Sequence, residues 1–469
     1  MRIAFGRSIK IADAFEMLGM RAPLSKNAAL PLAGICTDSR EADAHTAFVA
    51  LVGERVDGHD FIPAALERGC PLVISQRAEL SLGNSDACIL CVPDTEAALA
   101  RLGRAYLAPM SHRTVAVTGS VGKTTTKDMI HAVLSQKMNT YCSSGNHNSV
   151  IGMPLSAMEV KEEHACAVFE MGMSGRGEIE RMSLCAMPDI AVITNVGTSH
   201  MEMLGSRENI RDAKMEIAKG LRTGGVLLLN GDEPLLQGVA SNEFCVRYVS
   251  LSDESADFFA RNIVIEKGKT YFDACWKDGG FKRLSVSVAG RHNVYAGLYA
   301  LAVGVLSGES EEEIRRGLSS YTAKGLRQNV CQYKELTLLE DCYNASPESM
   351  KASLDVLAEI AKTRRIACLG EMLELGDASD DLHREVGAYA AARGVDLLFC
   401  VGQGGEEIAR GACDAGMNAQ SVIVCRDREN IELLCNGVCQ SLLPLDTVLI
   451  KGSRGVRMER VIEYIKNKY

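Results

Sequence analysis

The sequence lacks the long apolar stretch that a membrane-spanning helix requires, which is about 18 residues or more. Its first residues also lack the apolar core and cleavage site of a secretory signal, so we expect a cytoplasmic protein without membrane insertion. The formal net charge of −9 provides no broad positive surface, which argues against nucleic acid as a partner. An anionic small molecule would therefore need a local binding site.

The 17 cysteines are scattered through apolar runs, as Cys166 is in the run 165–169. Because no secretory signal precedes them, reduced and buried thiols are the simplest interpretation.

No internal repeat is present, and what recurs is a short apolar run, a turn with glycine or asparagine, and a helical pattern. This alternation predicts an α/β fold with mainly parallel sheets. At about 150 residues per domain, 469 residues suggest three domains. We place them at residues 1–91, 92–323 and 324–469, with a helical connector near 95–107.

Apolar runs mark the predicted strands of the second and third domains. The second domain has strands ending at Val117, Phe169, Ile193 and Leu229. The third domain has runs at 336–339, 366–369, 397–401, 422–425 and 448–450.

The strongest local signal is a short apolar strand that enters a glycine-bearing loop and then a helix. Inward-facing amides and a helix N-terminus form an anion cradle there. Lys123 would reach the β- and γ-phosphates of a nucleotide, and Thr124 would bind Mg²⁺. Val117 stands where the general phosphate-loop pattern has its first glycine. The loop residues predicted to bind ATP are Gly119, Ser120, Val121, Gly122, Lys123, Thr124 and Thr125.

Glu170 and His200 lie just beyond two other predicted strands. In an open parallel sheet, ligands gather at the carboxyl ends of the strands, where the phosphate loop also lies. A carboxylate and an imidazole there could hold Mg²⁺, although each residue taken alone is more often structural.

Lys214 lies on the apolar face of a predicted helix over 208–221, in line with Ile210 and Ile217. One interpretation is that the side chain extends along the apolar surface and keeps its ammonium in water. The other is that burial lowers its pKa, so that the neutral amine takes up CO₂ and becomes an anionic carbamate.

Together these motifs resemble the Mur ligase family, and the likeness spans the chain. The loop has the form T-G-S-x-G-K-T of Mur-type ligases. The resemblance implies a UDP-sugar-binding first domain, a central ATP-binding domain with a phosphate loop, and a Rossmann-like C-terminal domain. Other matching segments are 48–54, 57–59, 145–148, 151–154, 195–202, 214–217, 290–293, 341–347, 370–376 and 451–454.

The resemblance also assigns roles to individual residues. It implies that Glu170 and His200 bind Mg²⁺, and that Lys214 as a carbamate helps to hold a second Mg²⁺. Lys123, His200 and Lys214 would then serve catalysis. Outside the loop, Asn293 is expected to bind the adenine of ATP, and the other residues expected to contact ATP are Arg327, Asp341, Tyr343 and Asn344. Those expected to contact the nucleotide-sugar substrate are Ser39, Arg40 and Asn146.

Segments of the third domain most resemble the members that add D-alanyl-D-alanine to UDP-N-acetylmuramoyl-tripeptide through an acyl phosphate. Two residues depart from the expected D-S-Y-N-A-N-P run, Cys342 in place of serine and Ser346 in place of asparagine. The resemblance implies a monomer that uses ATP, Mg²⁺ and small-molecule substrates, whose third peptide residue is lysine or diaminopimelate.

Three alternatives remain at this point. Within the superfamily they are the enzyme that adds the third residue of the peptide and a folylpolyglutamate synthase. From another class, a nucleotide-dependent switch would need neither an amine-acceptor site nor the Lys214 carbamate.

Overall fold

The computed structural model describes residues 1–53, 55–77, 86–110, 112–145 and 147–469. Its strands form three sheets, and each sheet is built from consecutive strands of the chain. Parallel pairs predominate in all three, which confirms the predicted α/β fold. Within the described residues no helix is long and apolar enough to cross a bilayer.

The first sheet has the strand order β1-β2-β3-β4-β5. Strands β2 to β5 are parallel, and the antiparallel strand β1 was not predicted from the sequence. The elements are β1 (Arg2–Lys10), α1 (Ile11–Met17), β2 (Pro31–Cys36), β3 (Thr46–Val49), α2 (Ile62–Glu67), β4 (Leu72–Ser75) and β5 (Cys88–Cys91).

Helix α3 (Thr95–Leu107) joins the first sheet to the second, at the place predicted for the connector. It begins after Asp94, whose carboxylate caps it by accepting hydrogen bonds from two backbone amides of the first turn. Its apolar face, with Leu102 and Tyr106, belongs to one buried cluster that contains residues of both sheets. The Tyr106 hydroxyl donates to the Val160 carbonyl of the central region at 3.2 Å.

The central sheet has nine strands in the order β14-β13-β12-β11-β10-β9-β6-β8-β7. Strands β6 to β12 are parallel, whereas β12, β13 and β14 form antiparallel hairpins that the sequence did not predict. The strands are β6 (Arg113–Thr118), β7 (Thr140–Cys142), β8 (Cys166–Glu170), β9 (Ile190–Ile193), β10 (Val226–Asn230), β11 (Cys245–Ser250), β12 (Phe258–Glu266), β13 (Lys269–Trp276) and β14 (Gly279–Val286). The helices are α4 (Lys123–Leu134), α5 (Gly152–Met158), α6 (Glu178–Ala186), α7 (Met201–Leu204), α8 (Arg207–Met215), α9 (Asn293–Ser307) and α10 (Glu311–Ser320).

The third sheet has six strands in the order β15-β16-β20-β17-β18-β19, all parallel except β15. Five of its strands coincide with the predicted apolar runs. The elements are β15 (Asn329–Tyr333), β16 (Leu336–Asp341), α11 (Pro347–Ile360), β17 (Arg365–Gly370), α12 (Ser379–Ala392), β18 (Leu397–Val401), α13 (Gln403–Asp414), β19 (Val422–Cys425), α14 (Glu432–Ser441), β20 (Thr447–Lys451) and α15 (Glu459–Lys468).

The two departures from the family pattern have local structural explanations. Ser346 caps α11, its hydroxyl accepting from the Ser349 amide, and serine caps a helix about as well as asparagine does. Pro347 follows at the first helical position, where a missing amide costs nothing. Cys342 is fully buried in an apolar cluster beneath the third sheet, where a thiol behaves as a small hydrophobic group.

Candidate active site

The loop after β6 is shaped as an anion cradle. Gly119 has a φ of +145°, and a Cβ on it would lie 1.8 Å from the Thr194 hydroxyl oxygen, so only glycine fits there. Gly122 has a φ of +82° and directly precedes α4. The Lys123 ammonium folds back over the loop and donates to the carbonyls of Gly119 at 2.7 Å and Ser120 at 3.2 Å. This geometry suits a phosphate chain laid along the loop and the helix N-terminus.

Asn195, just after β9, supports the cradle from the neighbouring strand. Its side-chain oxygen accepts from the backbone amides of Ser120 at 3.1 Å and Val121 at 2.9 Å. The amide of Gly197 in turn donates to the Ser120 hydroxyl at 2.8 Å. Asn195 was not among the site residues predicted from the sequence, although its position just after a predicted strand was a signal for such a role.

Glu170, the last residue of β8, is 3% exposed and lies at the start of α4. Its carboxylate accepts from the Thr124 hydroxyl at 2.8 Å and from the Asn148 side-chain amide at 2.9 Å. Hydroxyl and carboxylate oxygens at the edge of a phosphate site are the ligand type that Mg²⁺ prefers. The two predicted ligands therefore lie together, and Asn148 is a neighbour that the sequence analysis did not identify as a site residue.

Lys214 is buried, with 1% of its surface exposed, so its ammonium does not extend to water along the helix. Burial lowers the pKa of Lys214 well below its usual value, and the positive charge of Lys123 lowers it further. No described residue forms a hydrogen bond or an ion pair with its amine. The predicted helix is α-helical only to Met215 and continues as a 3₁₀ turn over Glu216–Gly220.

His200 follows β9 and has a left-handed backbone conformation, with a φ of +66°. Its ring faces the same cleft as Glu170. The ring Nδ1 lies 2.8 Å from a carboxylate oxygen of Glu374, which belongs to the third sheet region. This hydrogen bond is the main cause of a lowered pKa at Glu374.

The predicted C-terminal residues lie on the opposite wall. The Arg327 guanidinium stacks on the Tyr343 ring, 3.5 Å from its centroid. The Asp341 carboxylate pairs with the buried Lys451 ammonium at 2.6 Å, and that ammonium also donates to the Asn344 carbonyl at 3.2 Å. Lys451 was part of a matching segment but was not predicted as a site residue.

Asn293 begins α9 at the end of the cleft and is 5% exposed. Its side-chain amide donates to the Ala289 carbonyl and to the Gln328 side chain, both at 2.7 Å. Gln328 lies in the segment that leads into the third sheet, so the position predicted to read adenine already contacts the C-terminal region.

These residues surround one cavity of about 540 Å³, a size typical of small-molecule sites. Both the central and the third sheet regions contribute to its walls. Of the predicted site residues, those that line it are Ser120, Val121, Gly122, Lys123, Thr124, Thr125, Glu170, His200, Asn293, Arg327, Asp341, Tyr343 and Asn344.

The predicted substrate contacts are not in this cavity. Arg40 is exposed and pairs with Asp38 at 2.6 Å, and the neighbouring Ser39 is buried at the start of a short 3₁₀ helix in the first sheet region. Asn146 lies outside the described residues, as does residue 54 of the segment 48–54. Lys214 is absent from the lining and lies behind the wall, close enough to Lys123 for their charges to interact.

Comparison with known proteins gives matches over most of the chain. Three family models match in order, the Mur ligase family catalytic domain at residues 31–107, the Mur ligase middle domain at 117–304, and the Mur ligase glutamate ligase domain at 327–454. The UDP-N-acetylmuramoyl-tripeptide–D-alanyl-D-alanine ligase of Bacillus subtilis is 38% identical over 92% of both chains.

Solved structures agree with these matches. MurF from Acinetobacter baumannii superposes with a TM-score of 0.88 at 28% identity, over 99% of this chain and all of that one. MurF ligase from Thermotoga maritima in complex with ADP gives a TM-score of 0.82 at 30% identity, over 92% of this chain and 97% of that one. The family predicted from the sequence is thereby confirmed: the chain belongs to the Mur ligase family.

Proposed function

We propose that this enzyme uses ATP to join D-alanyl-D-alanine to UDP-N-acetylmuramoyl-tripeptide in the synthesis of peptidoglycan precursors. The observation that carries the proposal is the near full-length identity of 38% to a relative named for that reaction. The cavity supports it, because a phosphate cradle faces a wall contributed by a second sheet, as a ligase with several substrates requires.

The chemistry follows from the need to activate a carboxylate. A free carboxylate of the tripeptide attacks the γ-phosphate of ATP, forming an acyl phosphate and releasing ADP. The amine of D-alanyl-D-alanine attacks the acyl carbonyl, and phosphate leaves from the tetrahedral intermediate. The first step brings the tripeptide carboxylate to the negatively charged phosphates of ATP. Positive charge and oriented backbone amides must therefore surround the phosphates. Lys123 and the loop amides that Asn195 orients fit this role.

The oxygen donors Thr124 and Glu170 fit Mg²⁺, since their oxygens lie 2.8 Å apart at the edge of the cradle. Mg²⁺ bound there would offset the negative charge of the phosphates and of the transferring phosphoryl group. His200 and a carbamate on Lys214 would complete a second site. The amine of Lys214 has no hydrogen-bond or ion-pair partner in the part of the chain that the structure describes. This and its lowered pKa support carbamate formation, because only a neutral amine reacts with CO₂.

The remaining roles assigned from the resemblance also become proposals. Asn293 would bind adenine, and Arg327, Asp341, Tyr343 and Asn344 would contact ATP from the C-terminal wall. Ser39, Arg40 and Asn146 would contact the nucleotide-sugar substrate. We propose a monomer that acts in the cytoplasm on small molecules, without nucleic acid as a partner.

We propose residues 1–91, 92–323 and 324–469 as the domains. Each sheet falls within one of these ranges, and the last strand of the central sheet ends at Val286 whereas the third sheet begins at Asn329. Gly325, with a φ of +62°, suits a hinge over 324–326. Rotation of the C-terminal domain about it would exclude water from the acyl phosphate.

The test is to incubate the purified protein with ATP, Mg²⁺, D-alanyl-D-alanine and UDP-N-acetylmuramoyl-tripeptide in its lysine and diaminopimelate forms. Mass spectrometry detects the pentapeptide product while phosphate release is followed. Product that requires every component supports the proposal and identifies the third residue. Phosphate release without product, or product only in a parallel incubation with ATP, folate and glutamate, contradicts it.

A further inference from the structure

One carboxylate of the C-terminal region contacts a predicted metal ligand of the central region. A Glu374 side-chain oxygen lies 2.8 Å from Nδ1 of His200, and three quarters of the His200 side chain is shielded from solvent. The backbone makes a second link, because the amide of Glu202 donates to the Glu374 carbonyl at 3.3 Å. The contact therefore joins loop 370–376 to the start of α7.

The backbone on both sides of this contact is unusual. His200 and Glu374 each have a φ of +66°, a region that residues with side chains seldom occupy. Gly376 has a φ of +58°, and a Cβ on it would lie 3.2 Å from the Cα of Glu202. Strained conformations persist only where surrounding contacts fix them, and they concentrate at functional sites. Because Gly376 has no side chain, its backbone can lie close to the backbone of Glu202.

Loop 370–376 is itself held firmly within the C-terminal region. The buried His383 ring accepts from the Met372 amide at 2.8 Å, and the Ser453 hydroxyl accepts from the Leu373 amide at 3.0 Å. Both partners come from elements of the third sheet region. Glu374 is therefore presented from a fixed loop, and its carboxylate reaches His200 only while the C-terminal domain lies against the central one.

In a neutral imidazole, the ring nitrogen that donates a hydrogen bond to a carboxylate carries the only ring N–H, so the other nitrogen is unprotonated and points away from that carboxylate. Histidines that bind metals are commonly fixed in this way, which sets both the tautomer and the direction of the ring. We propose that Glu374 is a positioning residue, which holds His200 as the Nδ1–H tautomer with Nε2 available to the cleft. Docking of the C-terminal domain then prepares the central domain for the reaction. The consequence for catalysis rests on the proposed function.

The first measurement is the tautomer of His200 in the free enzyme at pH 8, by long-range ¹H–¹⁵N NMR of protein labelled at histidine. The signal is assigned by its loss in His200→Gln. We expect the Nδ1–H tautomer in the wild type and a shift toward the Nε2–H tautomer in Glu374→Ala. Glu374→Gln keeps an acceptor oxygen and should retain the wild-type tautomer.

The second measurement is steady-state kinetics on the same variants. Glu374→Ala should lower kcat by about 10- to 100-fold, the usual effect of losing the partner of a metal-binding histidine. The dissociation constant for ADP without metal should stay at the wild-type value, because Glu374 is not among the described residues that line the nucleotide cavity. Glu385→Ala is the matched control, since it removes a pair with Lys351 that lies wholly within the C-terminal region, at 2.6 Å.

The two measurements separate this inference from the proposed function. A wild-type protein that forms no pentapeptide contradicts the proposed function, while the tautomer experiment still tests the role of Glu374. An unchanged tautomer in Glu374→Ala, or an equal fall in kcat in Glu385→Ala, would overturn the inference. Circular dichroism checks that the variants are folded, and their folding should be intact because the Glu374 side chain is 59% exposed.

Discussion

Glu348, the second residue of α11, accepts a hydrogen bond from the backbone amide of Thr198 at 3.0 Å, in the loop after β9. The Thr198 hydroxyl donates to the same carboxylate at 3.2 Å. The same loop contains Asn195, which accepts hydrogen bonds from two amides of the phosphate loop. The C-terminal domain is thus tied directly to the loop on which nucleotide binding depends.

Replacing Glu348 with alanine should expose the Thr198 amide to solvent more often. A hydrogen bond to a charged group contributes about 1.5–3 kcal/mol, so exchange of that amide should accelerate about 10-fold or more. Hydrogen–deuterium exchange with mass spectrometry of the peptide covering 196–200 measures this effect. Glu348→Gln retains an acceptor and serves as the control, and equal protection in the wild type and Glu348→Ala would contradict the prediction.

Gly197 offers an independent way to weaken the same contact. A Cβ at this position would lie 2.9 Å from the Glu348 carboxyl carbon and would displace that flexible side chain. We expect Gly197→Ala to accelerate Thr198 exchange as Glu348→Ala does, and the double variant to resemble either single one. Additive effects in this double-mutant cycle would show that the two residues act separately.

Replacing Lys214 with alanine should lower turnover at least about 100-fold, the scale expected when one group that stabilises transition-state charge is lost. Added formate or acetate should partly restore phosphate release, because a small carboxylate can replace the carbamate. Lys219→Ala is the control, since Lys219 is exposed and lies in the adjoining 3₁₀ turn. Near-normal activity in Lys214→Ala would exclude the carbamate.

The role of the Asn195 side chain can be tested by two substitutions. Asn195→Ala removes the acceptor of two loop amides, and we expect ADP to bind about 10-fold more weakly. Asn195→Asp keeps the acceptor but places a negative charge beside the phosphates, so binding should weaken further. Isothermal titration calorimetry measures both. Asn209→Ala is the control, because the Asn209 side chain donates to the Leu204 carbonyl of α7, and this variant should bind ADP as the wild type does. Tight binding by Asn195→Asp would refute the prediction.

Glu309 predicts a pH dependence of stability. It is 7% exposed, and burial together with the nearby charge of Glu313 raises its pKa to about 7. Because the folded pKa exceeds the unfolded value of 4.5, the folded state binds more protons between these values, and this residue's contribution to stability falls as pH rises from 4.5 to 7. Glu309→Gln should therefore be more stable than the wild type at pH 8, by about 1–3 kcal/mol.

Urea unfolding at pH 8 and at pH 4.5 tests this prediction. The difference between Glu309→Gln and the wild type should shrink at the lower pH, because the carboxyl is then protonated in the folded state and no charge is buried. Glu312→Gln, at a neighbouring exposed position, is the control. A difference that stays constant between the two pH values would show that the charge of Glu309 is not its cause.

Local patterns in the sequence predicted much of the fold. The apolar run before Gly119 predicted β6, and the glycine-bearing loop after it predicted the start of α4, because both depend on neighbouring residues. The antiparallel strands β12 to β14 were missed because their side chains alternate between partly buried and exposed without a strong apolar run.

The site was predictable where it lies at strand ends and not where it depends on contacts between domains. Glu170 and Thr124 were each identified from their own surroundings. Glu374 and Glu348 were not identified, because their partners His200 and Thr198 lie in another domain. A local sequence pattern does not indicate contacts between residues so far apart in the chain. The burial of Lys214 shows the same limit, since the helical pattern indicated its apolar face but not whether the amine could reach water.

The division of the cavity between two sheets has a consequence for inhibition. Each wall alone is incomplete, so the enzyme can be stopped by keeping the walls apart as well as by occupying the nucleotide position. A wedge-shaped compound seated between the loop after β9 and the first turn of α11 would act in this way. Because the nucleotide would be contacted from both walls, such a compound and ATP would each weaken the binding of the other.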